Sequence, residues 1–155
     1  MSRRHWKTWA PTSLQEAVEG CVLFAQEKHR LSVERIADLV GENKWTVYKW
    51  MQGGSVPGKK IAGFEHACGR AFITQYLATS ARKLLIDIPT GRMPGDSDIH
   101  ALQEACTAAI GALLAFSQGK ADAADTTDHL TAAMTLLAHE RAQVQRHVQP
   151  ELDLS

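Results

Sequence analysis

The sequence predicts an all-α protein. It should hold a five-helix domain over residues 13–82, a short extended segment and linker over 83–96, and a C-terminal helical hairpin over 97–149. Apolar residues recur three and four apart through most of the chain, which is the period of a half-buried helix. Ser, Asn, Gly and Pro punctuate that pattern at short intervals, as helix caps do. The composition, 45% hydrophobic and 22% charged, belongs to an ordinary globular chain rather than a disordered one.

Behind a basic arm (residues 1–12), Ser13 and Glu16 match a capping box, and Leu14, Ala17, Val18, Cys21, Phe24 and Ala25 form one apolar stripe ending near His29-Arg30. Ser32 is the next N-cap, with Leu31 and Ile36 spaced as a hydrophobic staple; Ile36, Ala37, Leu39 and Val40 follow, and Gly41 stops the helix. Asn43 caps a third helix that Gly53-Gly54 ends. Pro57 opens a fourth with Ile61, Phe64, Ala67 and Cys68 inside, and residues 71–80 form a short fifth. Lys83–Pro89 reads as an extended segment or short strand, and Thr90–Ser97 as loop. Two long helices follow. Ile99, Leu102, Cys106, Ile110, Leu113 and Phe116 recur along the first, and Leu130, Met134, Leu137 and Val144 along the second. One hairpin buries both such seams poorly, so these ten residues are the expected self-association surface, in a homodimer or homotetramer.

No apolar run approaches the ~18–20 residues that span a bilayer, and no apolar stretch follows the basic N-terminus, so a cytoplasmic protein without a membrane partner is expected. Cys21, Cys68 and Cys106 are too few and too scattered for a disulfide framework or a paired-cysteine metal site. The formal net charge is zero, but it is unevenly spread. Residues 1–83 hold 13 Lys and Arg against 7 Asp and Glu, a balance of +6, whereas residues 84–155 hold 4 against 10, a balance of −6. A front half that meets a polyanion is one reading; chance and acidic helix caps are the other.

The stretch Val33–Gln52 meets the demands of a helix-turn-helix. Counting Val33 as its first position, a small residue for the helix crossing (Ala37) is fifth and the turn glycine (Gly41) ninth. Buried positions of the second helix (Val47, Trp50) are fifteenth and eighteenth. With Trp50, Gly53 and a helix-opening Pro57, residues 13–80 resemble the lambda-repressor-like family of Cro and repressor regulators, also called XRE, of phage or prophage type. Met51, where that family commonly has Glu, and Val33, near a common Gln, depart from the pattern. The last seventy residues match nothing in that domain.

The resemblance implies a sequence-specific, DNA-binding transcriptional regulator, expected to be a repressor on a palindromic operator. A CII-type activator of the lambda kind and a protein-binding antirepressor or accessory factor are the alternatives. Double-stranded DNA and a second copy of the chain are the expected partners, in the cytoplasm and on the nucleoid of a bacterial host. Asn43, Lys44, Trp45, Tyr48, Lys49 and Gln52 fall outward on the recognition helix and are the expected base contacts. Asn43 also reads as a plain cap, and the lysines as a solvated face. Trp45 and Tyr48 suit thymine methyls or sugars, with core packing the alternative for Trp45. Ser32, Ser55, Lys59 and Lys60 are the expected phosphate contacts, and Arg3 and Arg4 join them if the arm enters a groove. The seven histidines lack metal-binding spacing, and no nucleophile-base triad or nucleotide loop appears. No metal, cofactor, small-molecule ligand or enzymatic activity is expected.

Overall fold

The computed structural model describes residues 5–6, 9–87 and 96–148, with backbone alone at 96, 97, 147 and 148. Every regular element among the described residues is an α-helix. In order they are α1 (Leu14–His29), α2 (Val33–Val40), α3 (Lys44–Gly53), α4 (Gly58–Cys68), α5 (Phe72–Ser80), α6 (Asp96–Ser117) and α7 (Ala123–Val148). The chain divides into two compact units, Met1–Leu85 with α1–α5 and Ile86–Ser155 with α6 and α7.

The helix starts follow local chemistry. Ser13 Oγ accepts the Glu16 N–H at 3.1 Å, Ser32 Oγ that of Arg35 at 3.2 Å, and Asn43 Oδ1 that of Thr46 at 2.9 Å. Each satisfies one of the donors a helix N-terminus leaves unpaired. The first box is shifted by a residue, because the Glu16 carboxylate reaches back to the N–H and hydroxyl of Thr12. Gly41 ends α2 at φ 68°, a left-handed conformation that only glycine adopts without strain, and so lets the chain turn into α3. The cap of α3 is Gly54, while Gly53 is its last helical residue.

In the first unit α1 packs on α3, α4 and α5, and α2 packs on α3 and α4. Val18, Cys21, Val22, Ile36, Val47, Phe64, Cys68, Phe72 and Ile73 are fully buried. Each large apolar side chain removed from water contributes about 1.5–3 kcal/mol. Burial pushes the Cys21 thiol up to about 12 and raises that of Cys68 as well, so both stay neutral core residues. Glu65 is the exception in this interior. Its carboxylate accepts the Thr74 N–H at 2.8 Å and the Thr74 hydroxyl at 2.6 Å, capping α5 from the neighbouring helix.

Several sequence expectations are corrected. Part of the presumed arm is docked: Trp6 is buried, stacks on Phe72 at 5.7 Å, meets Trp9 and Phe24 edge-on and donates from Nε1 to Glu27 at 2.6 Å. Arg70 holds it from outside, donating to the Trp6 carbonyl at 3.3 Å with its guanidinium over Phe24 and Phe72. Arg3 and Arg4 lie outside the described residues. Of the extended segment or short strand expected at 83–89, residues 83–87 form neither helix nor strand, with no strand among the described residues to pair with them, and residues 88–95 lie outside the description. Leu39 is exposed instead of joining the inner face of α2.

In the second unit α6 and α7 pack as an antiparallel pair joined by Gln118–Asp122, with Asp122 Oδ1 accepting the Asp125 N–H at 2.7 Å to cap α7. The stretch Asp98–Ser117, with mean hydropathy 1.4, is long and apolar enough to cross a membrane by length and composition. No uninterrupted run marks it in the sequence, because His100, Gln103, Glu104 and Thr107 break the pattern while the alanines, Ile110 and the leucines keep the mean high.

Candidate nucleic-acid interface

The presumed interface is built on α3. Its ten residues bury Val47 and Trp50, the latter edge-on to Phe64 at 5.7 Å. With that face fixed against the core, the helical period turns Lys44, Trp45, Tyr48, Lys49 and Gln52 outward. All five line one shallow notch of about 570 Å³. Trp45 is 66% exposed and Tyr48 38%, with ring centroids 6.1 Å apart and planes tilted by 48°. A core role for Trp45 is excluded by that exposure. The Lys44 ammonium lies 5.4 Å from the Trp45 ring centre, so charge and ring sit together at the start of the helix.

The remaining candidates are more constrained. Asn43 is exposed, but its Oδ1 accepts both the N–H and the hydroxyl of Thr46, so its acceptor is engaged in capping. Lys44 is paired with Glu34 at 3.6 Å across the turn. Glu34's own backbone N–H, together with Lys44 and Ser32, holds its carboxyl below the usual range. Lys60 donates to the Val40 carbonyl at 3.0 Å and pairs with Glu42 at 3.0 Å, tying the start of α4 to the end of α2. Lys59, Ser55 and Ser32 are exposed, and the hydroxyl of Ser32 caps α2.

Sequence reasoning thus reached the five residues of the notch and missed the two carboxylates that engage Lys44 and Lys60. The signal for Glu34 lies in an ordinary sequence separation of ten residues, which becomes a contact only once Gly41 folds α3 back beside α2. Chemically, the face offers ammonium groups for a polyanion, an amide able to donate and accept at once, and two exposed rings for apolar contact. Among the described residues no three His, Cys, Asp or Glu side chains come together as a metal-binding group. Comparison with protein-family models, with curated proteins and with solved structures found no match.

Proposed function

We propose that this chain is a sequence-specific DNA-binding transcriptional regulator whose α2 and α3 act as a helix-turn-helix. The observation that carries the reading is the single outward face of α3, where Lys44, Trp45, Tyr48, Lys49 and Gln52 line one notch while Val47 and Trp50 anchor the other side. A helix fits the major groove, where Gln pairs with adenine through two hydrogen bonds and Lys meets guanine or phosphate. Thymine offers the groove's apolar methyl group to the exposed rings. The N-terminus of α2 at Ser32, with Ser55 and Lys59, would meet phosphates. Lys60 would need to leave Glu42 to do so.

On this reading the protein works as a homo-oligomer on a palindromic operator, in a bacterial cytoplasm and as part of a phage or prophage circuit. Two recognition helices would meet half-sites about one helical turn apart. Repressor and CII-type activator share this interface; the position of the operator relative to its promoter sets the outcome. Nothing in the proposed role calls for catalysis or a cofactor.

Selection of bound duplexes from a random pool is the primary test, and the reading predicts an enriched, symmetric site. Binding to that site should weaken steeply with salt, and Lys49→Ala should flatten the log–log salt slope by about 1 for one lost phosphate contact. A second reading is favoured by a specific observation. Lys44 and Lys60 are already paired with carboxylates, which leaves the aromatic pair as the most prominent feature of the face. An aromatic face of this kind suits a protein partner, as in an antirepressor or accessory factor. Failure to enrich any duplex, together with a partner complex insensitive to salt, would replace the first reading with the second.

A further inference from the structure

A carboxylate stands among the ammonium groups of the α3 face. Glu34, the second residue of α2, places Oε1 3.6 Å from the Nζ of Lys44, the first residue of α3. The same ammonium lies 5.4 Å from the centre of the Trp45 ring, so Lys44 is engaged by both a carboxylate and a ring. Glu34's own backbone N–H, together with Lys44 and Ser32, holds the carboxyl below its usual range, which keeps it charged at neutral pH. The two side chains are 44% and 55% exposed, and an ion pair so open to water adds little to folding stability. Its consequence lies instead in what the face can bind. Lys60 differs, because its ammonium donates to the Val40 carbonyl as well as pairing with Glu42, and so serves the fold.

Lys44 lines the notch with Trp45, Tyr48, Lys49 and Gln52 and stands at the end of α3 that would enter a groove. Two kinds of acceptor compete for it there: phosphate oxygens, which are the same in every duplex, and base edges, which carry the sequence. Glu34 treats them differently. A phosphate oxygen hydrogen-bonded to the Lys44 ammonium at about 3 Å lies no more than about 7 Å from the Glu34 carboxylate, inside a Debye length at physiological salt. Two negative charges then flank one ammonium, and their repulsion through water at that distance weakens binding roughly threefold. The O6 and N7 of guanine carry no net charge. An ammonium with three donors can keep one on Glu34 while it gives others to that edge.

We propose that Glu34 is a specificity-determining residue, which withholds Lys44 from the phosphates of duplexes at large and reserves it for an uncharged base edge. This role of Glu34 rests on the reading of α2 and α3 as a DNA-binding helix-turn-helix. The two lysines of the notch are then divided by task, with Lys49 making the phosphate contact and Lys44 reading the base. The same ion pair that makes Lys44 a poor general anchor lets the face pass over most DNA.

Anisotropy titrations of the full-length chain test this role, using a random-sequence duplex and the duplex enriched by selection, each over a range of salt. Glu34→Gln removes the charge and keeps the shape. It should bind the random duplex roughly threefold more tightly or better. The log–log salt slope should steepen by about 1 as Lys44 gains a phosphate. The enriched duplex should gain less, so discrimination falls. With Lys44→Ala already in place, Glu34→Gln should leave the slope unchanged, because no ammonium is released. Glu104→Gln makes the same change of net charge at an exposed position of α6 and should leave the random duplex bound as in the wild type. Unaltered binding of the random duplex by Glu34→Gln overturns the proposal. So does equal tightening on both duplexes, the same gain from Glu104→Gln, or a steeper slope that persists without Lys44. Each of those outcomes leaves the DNA-binding reading in place, since the wild-type chain binds in all of them. A wild-type chain that binds no duplex even at low salt overturns that reading, and the role of Glu34 falls with it.

Discussion

Gly20 lies inside α1, where alanine would favour the helix by about 1 kcal/mol, yet a Cβ built there would sit 2.4 Å from the Trp9 ring. The missing side chain is what lets Trp9 lie across the helix and meet Phe72 edge-on at 4.7 Å. Gly20→Ala should therefore destabilise the protein despite its better helix propensity. Forcing one extra carbon into a packed contact costs about 1–3 kcal/mol, which outweighs the propensity gain. A lower urea midpoint with red-shifted tryptophan emission is the expected result, and a raised midpoint would contradict it. Asn43 makes a related point at the candidate site. Its type predicts both a cap and an adenine contact, and the structure shows its Oδ1 engaged by Thr46, so the base-reading burden falls on the residues that follow.

Among the elements, α5 was the least legible in sequence. Ala71 precedes it with no side-chain cap, so nothing local marks the start. The cap comes from Glu65 on α4, nine residues earlier, and is visible only once the two helices are packed. Glu65→Ala should cost about 2–3 kcal/mol in chemical denaturation, the range for a hydrogen bond to a charged group whose loss strands a buried partner. Glu65→Gln, which keeps an acceptor for the Thr74 N–H, should lose less. Equal stability of all three proteins would show that water replaces the cap. By contrast α2 and α3 were readable almost residue by residue, because Ser32, Gly41 and Asn43 act on atoms within a few positions of themselves. The short strand that the apolar run at 83–89 allowed is absent from its described part, residues 83–87, for the opposite reason: a strand needs a neighbour, and an apolar run supplies none.

At the scale of the whole molecule the two units hold themselves together differently. The first has large buried side chains from five helices and the docked Trp6, whereas the second buries little more than alanines. A chain ended after Asp87 should consequently remain folded and unfold cooperatively in urea, monitored by helical circular dichroism. A broad, non-cooperative loss of signal would show that the first unit depends on the second. The opposite charge balances of the two halves fit this division. They were legible in the sequence, but they assign no partner by themselves.

Local chemistry in the sequence was enough to determine where α1, α2 and α3 start and stop, which side of α3 faces outward, and that two long helices end the chain. Caps, turns and helical periodicity act over a few residues, so they can be read without knowing the fold. Tertiary structure alone decided that Glu34 engages Lys44, that Lys60 braces α2, that Trp6 packs onto the core and that the ten apolar hairpin residues fall on two seams. Leu102 and Phe116 belong to the inner seam of α6, towards α7, and Ile99, Cys106, Ile110 and Leu113 to the open one. These outcomes depend on which distant surfaces meet, and a three-and-four spacing names a face without naming what covers it.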